Sequence, residues 1–318
     1  MKDLFGREIN YLRISVTDLC NLRCRYCMPQ EGVPKLSPKH ILSVEEIEIL
    51  ARAFVNLGIN KIRLTGGEPL VRRGILDIVE SIGKLKGIKD FAMTTNGVLL
   101  KDLALELKNR GLKRVNISLD TLKEEKYKYI TRVGSIKDVL EGIEAAKKAE
   151  LTPIKINTVL VRGFNDDEIE ELARLTEVEE IDVRFIELMP IGEALKNESI
   201  KYVSNNIVLE KLPELIPLER KDPSSPAVYY KLPNAKGRIG LINPISCKFC
   251  KYCNRVRLTA QGKMKLCLHS DEEVDLREAL INGKDIERII IDAINKKPES
   301  HQLENGQYIS KKMYQIGG

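Results

Sequence analysis

Three cysteines stand close together near the start of the chain, in the stretch CNLRCRYC at residues 20–27. A disulfide would leave one thiol over, and a tetrahedral zinc site would need a fourth ligand from elsewhere. A cluster of four irons held by only three protein thiolates keeps one iron open to a small molecule. The spacing therefore favours a reactive iron–sulfur cluster at Cys20, Cys24 and Cys27. The alternatives are a zinc site completed by a distant Cys or His, and three buried thiols.

A second group of cysteines lies near the other end of the chain, at Cys247, Cys250, Cys253 and Cys267. Residues 254–259 and 263–268, on either side of Gly262, predict a β-hairpin. The hairpin would bring Cys267 back to the CxxC pair, so that three thiolates meet at one point. With Cys247 as a fourth ligand the same group would also suit a structural zinc ion, and the residues alone leave both readings open.

The composition limits what these sites can serve. The 318 residues carry a net charge of +6, which suits an anionic small substrate but is too small and too evenly spread to indicate nucleic-acid binding. The sequence has no apolar run long enough to cross a membrane and no apolar signal core in residues 1–8. We therefore expect a cytoplasmic protein without nucleic-acid or membrane partners. Seven cysteines in such a protein indicate metal or redox chemistry.

Between the two cysteine groups, short β-rich segments alternate with amphipathic helices, which predicts an α/β fold. A complete eight-unit barrel needs about 250 residues. Six units therefore predict a partial (β/α)6 barrel over residues 1–190, with its functional residues at the C-terminal ends of the strands. The predicted strands cover residues 11–17, 61–65, 91–95, 114–119, 154–160 and 181–188. The predicted helices cover residues 44–57, 75–85, 101–110, 135–150 and 165–177.

Two local signals and one break in the pattern complete this prediction. Ser43 with Glu46, and Asn165 with Glu168, have the spacing of helix capping pairs. After residue 190 the alternation stops, and most of the prolines fall between residues 191 and 245, which predicts irregular structure with a short helix near 207–212. A further helix is expected at residues 285–296. We therefore expect residues 191–318 to form a C-terminal region that covers the barrel opening.

The first cysteine loop resembles that of the radical S-adenosylmethionine (SAM) enzymes, with Tyr26 just before the last cysteine. The longer string YLRISVTDLC at residues 11–20, followed by CMP at 27–29, resembles their GTP 3′,8-cyclase branch. The resemblance implies a [4Fe–4S] cluster whose open iron chelates SAM and whose electron cleaves SAM to methionine and a 5′-deoxyadenosyl radical. It also implies the partial barrel and the C-terminal extension with a second cluster.

Four SAM contacts follow from the resemblance. The turn TGGEP at residues 65–69 follows the second strand, and its paired glycines let a ligand approach the backbone. It resembles the family motif that holds the SAM amino group, and Glu68 could accept hydrogen bonds from an ammonium. The positions that the resemblance assigns to SAM are Tyr26, Gly67, Ser118 and Met189.

The second cysteine group resembles the C-terminal motif of the same family, FCxxCNRxR with a later cysteine. The resemblance implies a second [4Fe–4S] cluster on Cys250, Cys253 and Cys267 that binds the guanine of GTP, with Cys247 as a spare. It further assigns GTP contacts, since arginine suits phosphate groups, and a C-terminal Gly317-Gly318 pair that reaches the active site and is needed for the radical step. The GTP positions are Arg13, Arg63, Thr94, Lys155, Arg255, Val256 and Arg257.

The resemblance implies a lyase that converts GTP to (8S)-3′,8-cyclo-7,8-dihydroguanosine 5′-triphosphate, the first step of molybdopterin biosynthesis. The expected partners are GTP, SAM, an external electron donor and the next enzyme, cyclic pyranopterin monophosphate synthase, and a homodimer is possible. Two alternatives remain at this point. A radical SAM enzyme that modifies a peptide would share the first loop, and a nucleic-acid-binding zinc ribbon could use the second cysteine group.

Overall fold

Six parallel strands, adjacent in chain order, form the centre of the computed structural model, which describes residues 1–247, 249–301, 303, 308–309 and 311–317. All six agree with the predicted strands to within two residues at either end, because each has a strong β-rich pattern between turn residues. The strands are β1 (Tyr11–Ser15), β2 (Lys61–Thr65), β3 (Asp90–Thr95), β4 (Arg114–Ser118), β5 (Ile154–Leu160) and β6 (Ile181–Glu187).

Strands from the C-terminal region extend this sheet at both edges. Next to β1 lies β10 (Arg255–Leu258), which is parallel to it, followed by the antiparallel β11 (Lys263–Lys265) and β12 (Glu273–Asp275). Next to β6 lies the parallel β9 (Ile239–Ile242), followed by the antiparallel β8 (Ala227–Lys231) and β7 (Ile216–Pro217). In the described part of the chain these strands form one sheet that begins at β12 and ends at β7. The partial barrel and the predicted hairpin are confirmed.

The prediction of irregular structure at residues 191–245 is wrong, because this segment contains β7, β8 and β9. Its prolines stand at strand ends, where a missing N–H breaks no ladder hydrogen bond. Pro217 closes β7, Pro226 directly precedes β8, and Pro244 follows β9. The division of the chain at residue 190 stays a prediction, since the strands of both segments share one sheet.

Helices cover the outer face of the central strands. The predicted capping box is confirmed, because Ser43 Oγ accepts a hydrogen bond from the Glu46 N–H and the Glu46 carboxylate accepts one from the Ser43 N–H. Among the described residues, no helix combines the length and the apolar character needed to cross a bilayer. The helices are α1 (Val44–Asn56), α2 (Ile75–Gly83), α3 (Leu100–Asn109), α4 (Glu124–Thr131), α5 (Ile136–Lys148), α6 (Ile169–Val178), α7 (Glu193–Lys196), α8 (Asn206–Lys211), α9 (Leu276–Ile281), α10 (Ile286–Ile294) and α11 (Met313–Ile316).

The second predicted cap, at Asn165, is wrong, since α6 begins only at Ile169. The Asn165 side chain instead donates to the Asp120 carbonyl at 2.7 Å and accepts from the Val161 N–H at 2.9 Å. Glu168 accepts from the Thr121 hydroxyl at 2.7 Å. These tertiary partners join the loops after β4 and β5, and they satisfy the polar groups that the sequence pattern assigned to a helix start.

Residues alternate between two environments along the strands that form the centre of the sheet. In β1, Leu12 and Ile14 are fully buried in the hydrophobic core beneath the helices, whereas Arg13 points to the concave side. The same alternation in β2 and β10 places Arg63 and Arg257 on the concave side. The core therefore lies between sheet and helices, and the concave face is left for polar chemistry.

The substitution Gly142→Ala tests how closely the helices pack on this fold. Alanine normally stabilises a helix by up to about 1 kcal/mol relative to glycine. In α5, however, an added Cβ at Gly142 would lie 2.2 Å from the carbonyl oxygen of Gly97. We expect this overlap to outweigh helix propensity and to lower the midpoint temperature of thermal unfolding. Circular dichroism under anaerobic conditions measures that midpoint. The exposed Lys148→Ala in the same helix is the control, and a midpoint raised by Gly142→Ala would contradict the packing.

Candidate active site

A single cavity of about 400 Å³ opens on the concave side of the sheet. It is lined by residues from both cysteine groups, from the C-terminal ends of the strands and from α11. Cys247 is exposed and is not part of the lining, as expected for a spare thiol. The two cysteine groups therefore face one chamber. The lining cysteines are Cys20, Cys24, Cys27, Cys250, Cys253 and Cys267.

The first cysteine loop is anchored to the turn after β2. The N–H groups of Gly67 and Glu68 donate to the carbonyls of Thr17 and Leu19, each at 2.8 Å. The backbones approach so closely that a Cβ at Gly67 would lie 2.3 Å from the Leu19 carbonyl oxygen. The paired glycines are therefore required to place the cysteine loop, in addition to leaving room for a ligand.

The two groups of thiols lie in different electrostatic environments. Burial raises the pKa of Cys20 to about 11 and, together with the charge of Cys20, raises the pKa of Cys27 to about 12. Burial also tends to raise the pKa of Cys253, but Lys297 and Arg255 bring it below its ordinary value. The first group therefore needs a bound cation to hold thiolates, which suits an iron cluster.

Each cysteine group presents three thiols to the cavity. A four-iron cluster is held by thiolates, normally one to each iron, so three ligands leave one iron open. Cys20, Cys24 and Cys27 would hold the first cluster, and Cys250, Cys253 and Cys267 the second.

Glu68 lies at the bottom of the SAM side of the cavity and is almost fully buried. Its carboxylate accepts hydrogen bonds from the Thr95 hydroxyl at 2.7 Å and from the N–H groups of Asn96 at 2.6 Å and Leu70 at 3.0 Å. Burial raises its pKa to about 7. Glu68, which is expected to accept hydrogen bonds from the SAM ammonium, thus also links the turn after β2 to the end of β3.

The four residues that the sequence assigns to SAM all line the cavity. Tyr26 is fixed by a hydrogen bond of 2.6 Å from its hydroxyl to Asp120 Oδ2, and burial raises the pKa of Asp120 to about 6. Gly67, Ser118 and Met189 lie at the ends of three further strands. The structure brings these residues into the same cavity as the first cysteine group.

Three arginines lie side by side across neighbouring strands. In the register of the sheet, Arg13 on β1 is opposite Arg257 on β10 and Arg63 on β2. Burial, reinforced by Arg257, holds the pKa of Arg13 well below its usual range, and burial lowers the pKa of Arg63 to about 10. Buried like charges repel each other unless an anion lies between them. A polyanionic ligand would relieve the repulsion within this row.

Two further lining residues were missed by the sequence analysis. Asn157 on β5 and Arg184 on β6 point into the cavity. Within the described part of the chain, the buried atoms Arg63 Nε, Arg184 Nε, Thr94 Oγ1 and Asn157 Oδ1 have no hydrogen-bond partner. Such atoms are rare in the interior of a protein unless a ligand satisfies them. Strand alternation could have found Asn157, which lies two positions after Lys155.

The structure places two predicted substrate residues away from the cavity. Lys155 forms an ion pair with Asp182 at 3.3 Å and lies 3.4 Å from the Tyr229 hydroxyl. Val256 belongs to the hydrophobic core, so only its backbone could reach a ligand. The neighbours Arg255 and Arg257 do line the cavity.

The C-terminal tail returns to the cavity along α11. Arg257 Nη1 donates to the carbonyl of Ile316 at 3.2 Å and also to that of Gly317. Gly317 has a φ of +68°, and a Cβ there would lie 2.8 Å from Thr65 Cγ2. Only glycine fits this conformation and space. Gly318 lies outside the described residues.

Sequence comparison assigns the chain to a class of enzymes. The family model described as Radical SAM superfamily matches residues 14–176, and that described as Molybdenum Cofactor Synthesis C matches residues 181–303. A protein called GTP 3′,8-cyclase from Peptoclostridium acidaminophilum is 57% identical over 99% of this chain and 98% of its own length. One of the same name from Alkaliphilus oremlandii is 52% identical over the whole of both chains.

A solved structure supports the fold independently. The crystal structure of Streptococcus suis SuiB superposes with a TM-score of 0.64 at 16% identity, covering 89% of this chain. The chain spans 65% of the length of SuiB. With the site described above, these matches define a radical SAM enzyme with a C-terminal molybdenum cofactor synthesis region. The chain belongs to the GTP 3′,8-cyclase family.

The substitution Gly67→Ala tests the link between the two loops. The added methyl group would displace Leu19, so we expect the first cluster and SAM binding to be lost while the second cluster remains. Iron per chain should fall from about eight to about four, counted as four per cluster. The exposed Lys148→Ala is again the control. Full iron and normal SAM affinity in Gly67→Ala would show that the loop does not depend on this contact.

Proposed function

We propose that the protein converts GTP to (8S)-3′,8-cyclo-7,8-dihydroguanosine 5′-triphosphate, the first step of molybdopterin biosynthesis. The observation that carries this proposal is the row of buried arginines that lines one cavity together with two groups of three cysteines. A redox cofactor alone would not require such a row, whereas a nucleoside triphosphate supplies the negative charge that it needs. The high identity to relatives called GTP 3′,8-cyclase supports the same activity.

Each cluster supplies one kind of chemistry when bound. On Cys20, Cys24 and Cys27, a [4Fe–4S] cluster with an open iron supplies the electron that cleaves SAM to methionine and a 5′-deoxyadenosyl radical. On Cys250, Cys253 and Cys267, a second one offers an open iron to the guanine base. The chain itself places SAM through Tyr26, Gly67, Ser118 and Met189, which lie around the first group.

The remaining residues position the nucleotide. Arg13, Arg63 and Arg255 would bind the triphosphate, and Thr94 offers a buried hydroxyl without a protein partner among the described residues. We further assign Lys155 and the backbone of Val256 to the edge of this site. The ribose C3′ would then lie near the radical carbon, and the C8 of guanine near C3′. Holding the reacting atoms in this order supplies most of what the protein contributes.

The tail is the last part of the proposed active site. Arg257 holds the carbonyls of Ile316 and Gly317 beside Ser15 and Thr65, at the C-terminal ends of β1 and β2. We assign Gly317 and Gly318 a role in the radical step. Arg257 would then serve both the tail and the substrate, because its guanidinium has donors for both.

The setting of the reaction is also proposed. An external electron donor reduces the first cluster, and cyclic pyranopterin monophosphate synthase receives the product. We place the protein in the cytoplasm, because all seven cysteines are free and iron–sulfur chemistry needs a reducing compartment. We further propose that it forms a homodimer. Residues 1–190 would form the radical SAM barrel, and residues 191–318 the region that carries the second cluster.

Deuterium transfer tests the reaction directly. We expect anaerobically reduced protein with SAM and GTP labelled with deuterium at C3′ to form 5′-deoxyadenosine that carries the label. Both 5′-deoxyadenosine and the cyclised nucleotide would be measured by mass spectrometry, with ATP as the matched control nucleotide. Unlabelled 5′-deoxyadenosine formed at the same rate with either nucleotide would contradict the assignment.

The substitution Arg63→Met tests the role of the arginine row. A hydrogen bond to a charged group contributes about 1.5–3 kcal/mol, so GTP affinity should fall roughly 10- to 100-fold. SAM affinity should not change, since Arg63 lies on the substrate side. Calorimetric titration of both ligands measures this. The exposed Arg73→Met is the matched control, and GTP affinity equal to the control would remove Arg63 from the site.

A further inference from the structure

A buried arginine from the start of the chain contacts the second cysteine group. Arg7 Nη1 donates a hydrogen bond to the carbonyl of Cys250 at 3.0 Å, although the two residues are 243 positions apart. Arg7 Nε forms a buried ion pair of 2.6 Å with Asp3 Oδ2. Asp3 Oδ1 in turn accepts from the N–H groups of Phe5 at 3.0 Å and Arg7 at 2.9 Å. The ion pair with Asp3 thus fixes the orientation of the Arg7 side chain toward Cys250.

The same guanidinium holds a segment close to the C-terminus. Arg7 Nη1 also donates to the carbonyl of Glu299 at 2.8 Å, and Arg7 Nη2 donates to that of Pro298 at 2.7 Å. One side chain therefore joins the N-terminal turn, the loop of Cys250 and residues 298–299. Together with the bond from Nε to Asp3, the planar fork of Arg7 makes four bonds, whereas a lysine ammonium has only three donors.

The residue before this segment, Lys297, contacts the backbone close to the other two cysteines of the group. It is buried, and its ammonium donates to the carbonyl of Arg255 at 3.0 Å and to that of Leu266. Arg255 follows Cys253 by two positions, and Leu266 directly precedes Cys267. The ammonium thus joins the two arms of the hairpin that carry these cysteines. Both acceptors are neutral carbonyls, which leave the ammonium its positive charge.

These contacts form a unit, which we call the cationic clamp and define as Asp3, Arg7 and Lys297. Cys250, Cys253 and Cys267 are each tied to the clamp, either directly or through a neighbouring residue. Lys297 and Arg7 also contribute to lowering the pKa of Cys253 against the opposing effect of burial. In the first group the charge of Arg23 acts on Cys20, while Glu68 and Asp120 act on the thiols in the opposite direction.

We propose that the cationic clamp positions the second cluster and raises its reduction potential. A [4Fe–4S]²⁺ core with three thiolates carries net negative charge, and nearby positive charge stabilises it, most strongly in the reduced form. Residues that hydrogen-bond to the ligands of a metal site influence its metal affinity and its reduction potential. Arg7 and Lys297 are therefore positioning residues. This inference rests on the second cluster assigned above.

The potential can be measured in a protein that holds only the second cluster. In the full-length variant with Cys20, Cys24 and Cys27 all replaced by Ser, we expect about four iron per chain. Adding Lys297→Met should lower the midpoint potential of this cluster, measured by redox titration with electron paramagnetic resonance detection. The matched control is Lys265→Met, which removes a different buried lysine, one that lies on the hairpin strand β11. The ammonium of Lys265 lies 3.5 Å from the Glu273 carboxylate, so it has an acidic partner, which it shares with Lys263 and Lys311.

Arg7→Lys separates positioning from charge and serves as the second variant if Lys297→Met does not fold. This variant keeps the positive charge, so the reduction potential of the second cluster should stay near that of the protein with Arg7. It loses the planar fork of hydrogen-bond donors, so the occupancy of the second cluster should fall by about half or more. With the first cysteine group intact, cleavage of SAM without GTP should persist in Arg7→Lys, which shows that the barrel is folded.

The outcomes are distinct. Unchanged potential in Lys297→Met together with full iron in Arg7→Lys would overturn the clamp and leave the second cluster in place. A triple Cys→Ser variant that contains zinc or no iron would overturn the second cluster and the clamp with it. A lowered potential in Lys265→Met equal to that in Lys297→Met would also overturn the clamp, because any buried lysine would then suffice.

Discussion

Repulsion among the buried guanidinium groups of Arg257, Arg13 and Arg63 is the constraint on which the rest of the site depends. These groups lie on the adjacent strands β10, β1 and β2, and burial makes their charges costly. The alternating residues Leu12 and Ile14 fix the register, because a shift by one position would turn the arginines into the hydrophobic core. The fold therefore keeps a concentrated positive charge that a triphosphate can neutralise.

The two cysteine groups differ in ways that match their proposed tasks. The thiols of the first group are affected by the acidic side chains of Glu68 and Asp120 as well as by Arg23, and burial makes thiolates there unfavourable without a bound cation. Acidic groups near a cluster lower its reduction potential, which suits the delivery of an electron to SAM. The second group is bordered by Arg7, Arg255 and Lys297, which favour negative charge. A cluster in that environment is better suited to holding a substrate than to reducing one.

Much of the fold and the composition of the site could be predicted from the sequence, because strands and cysteine motifs leave local patterns. The strands β8 and β9 could not, since the prolines at their ends resemble loop signals and the pairing partners are distant in sequence. Lys155 illustrates a different limit. Its position on a strand suggested a ligand contact, but only the fold shows the carboxylate of Asp182 beside it.

Long-range contacts explain the remaining differences. Arg184 looks like an ordinary strand residue until the sheet turns it into the cavity. Arg257 was expected to bind substrate, and the structure adds the tail carbonyls as its partners.

Iron anomalous diffraction from anaerobically grown crystals with SAM and GTP tests the central claim most directly. The account predicts two groups of four irons, one at each cysteine group, that open onto one cavity holding both ligands. A single iron group, or zinc at Cys250, Cys253 and Cys267, would contradict it.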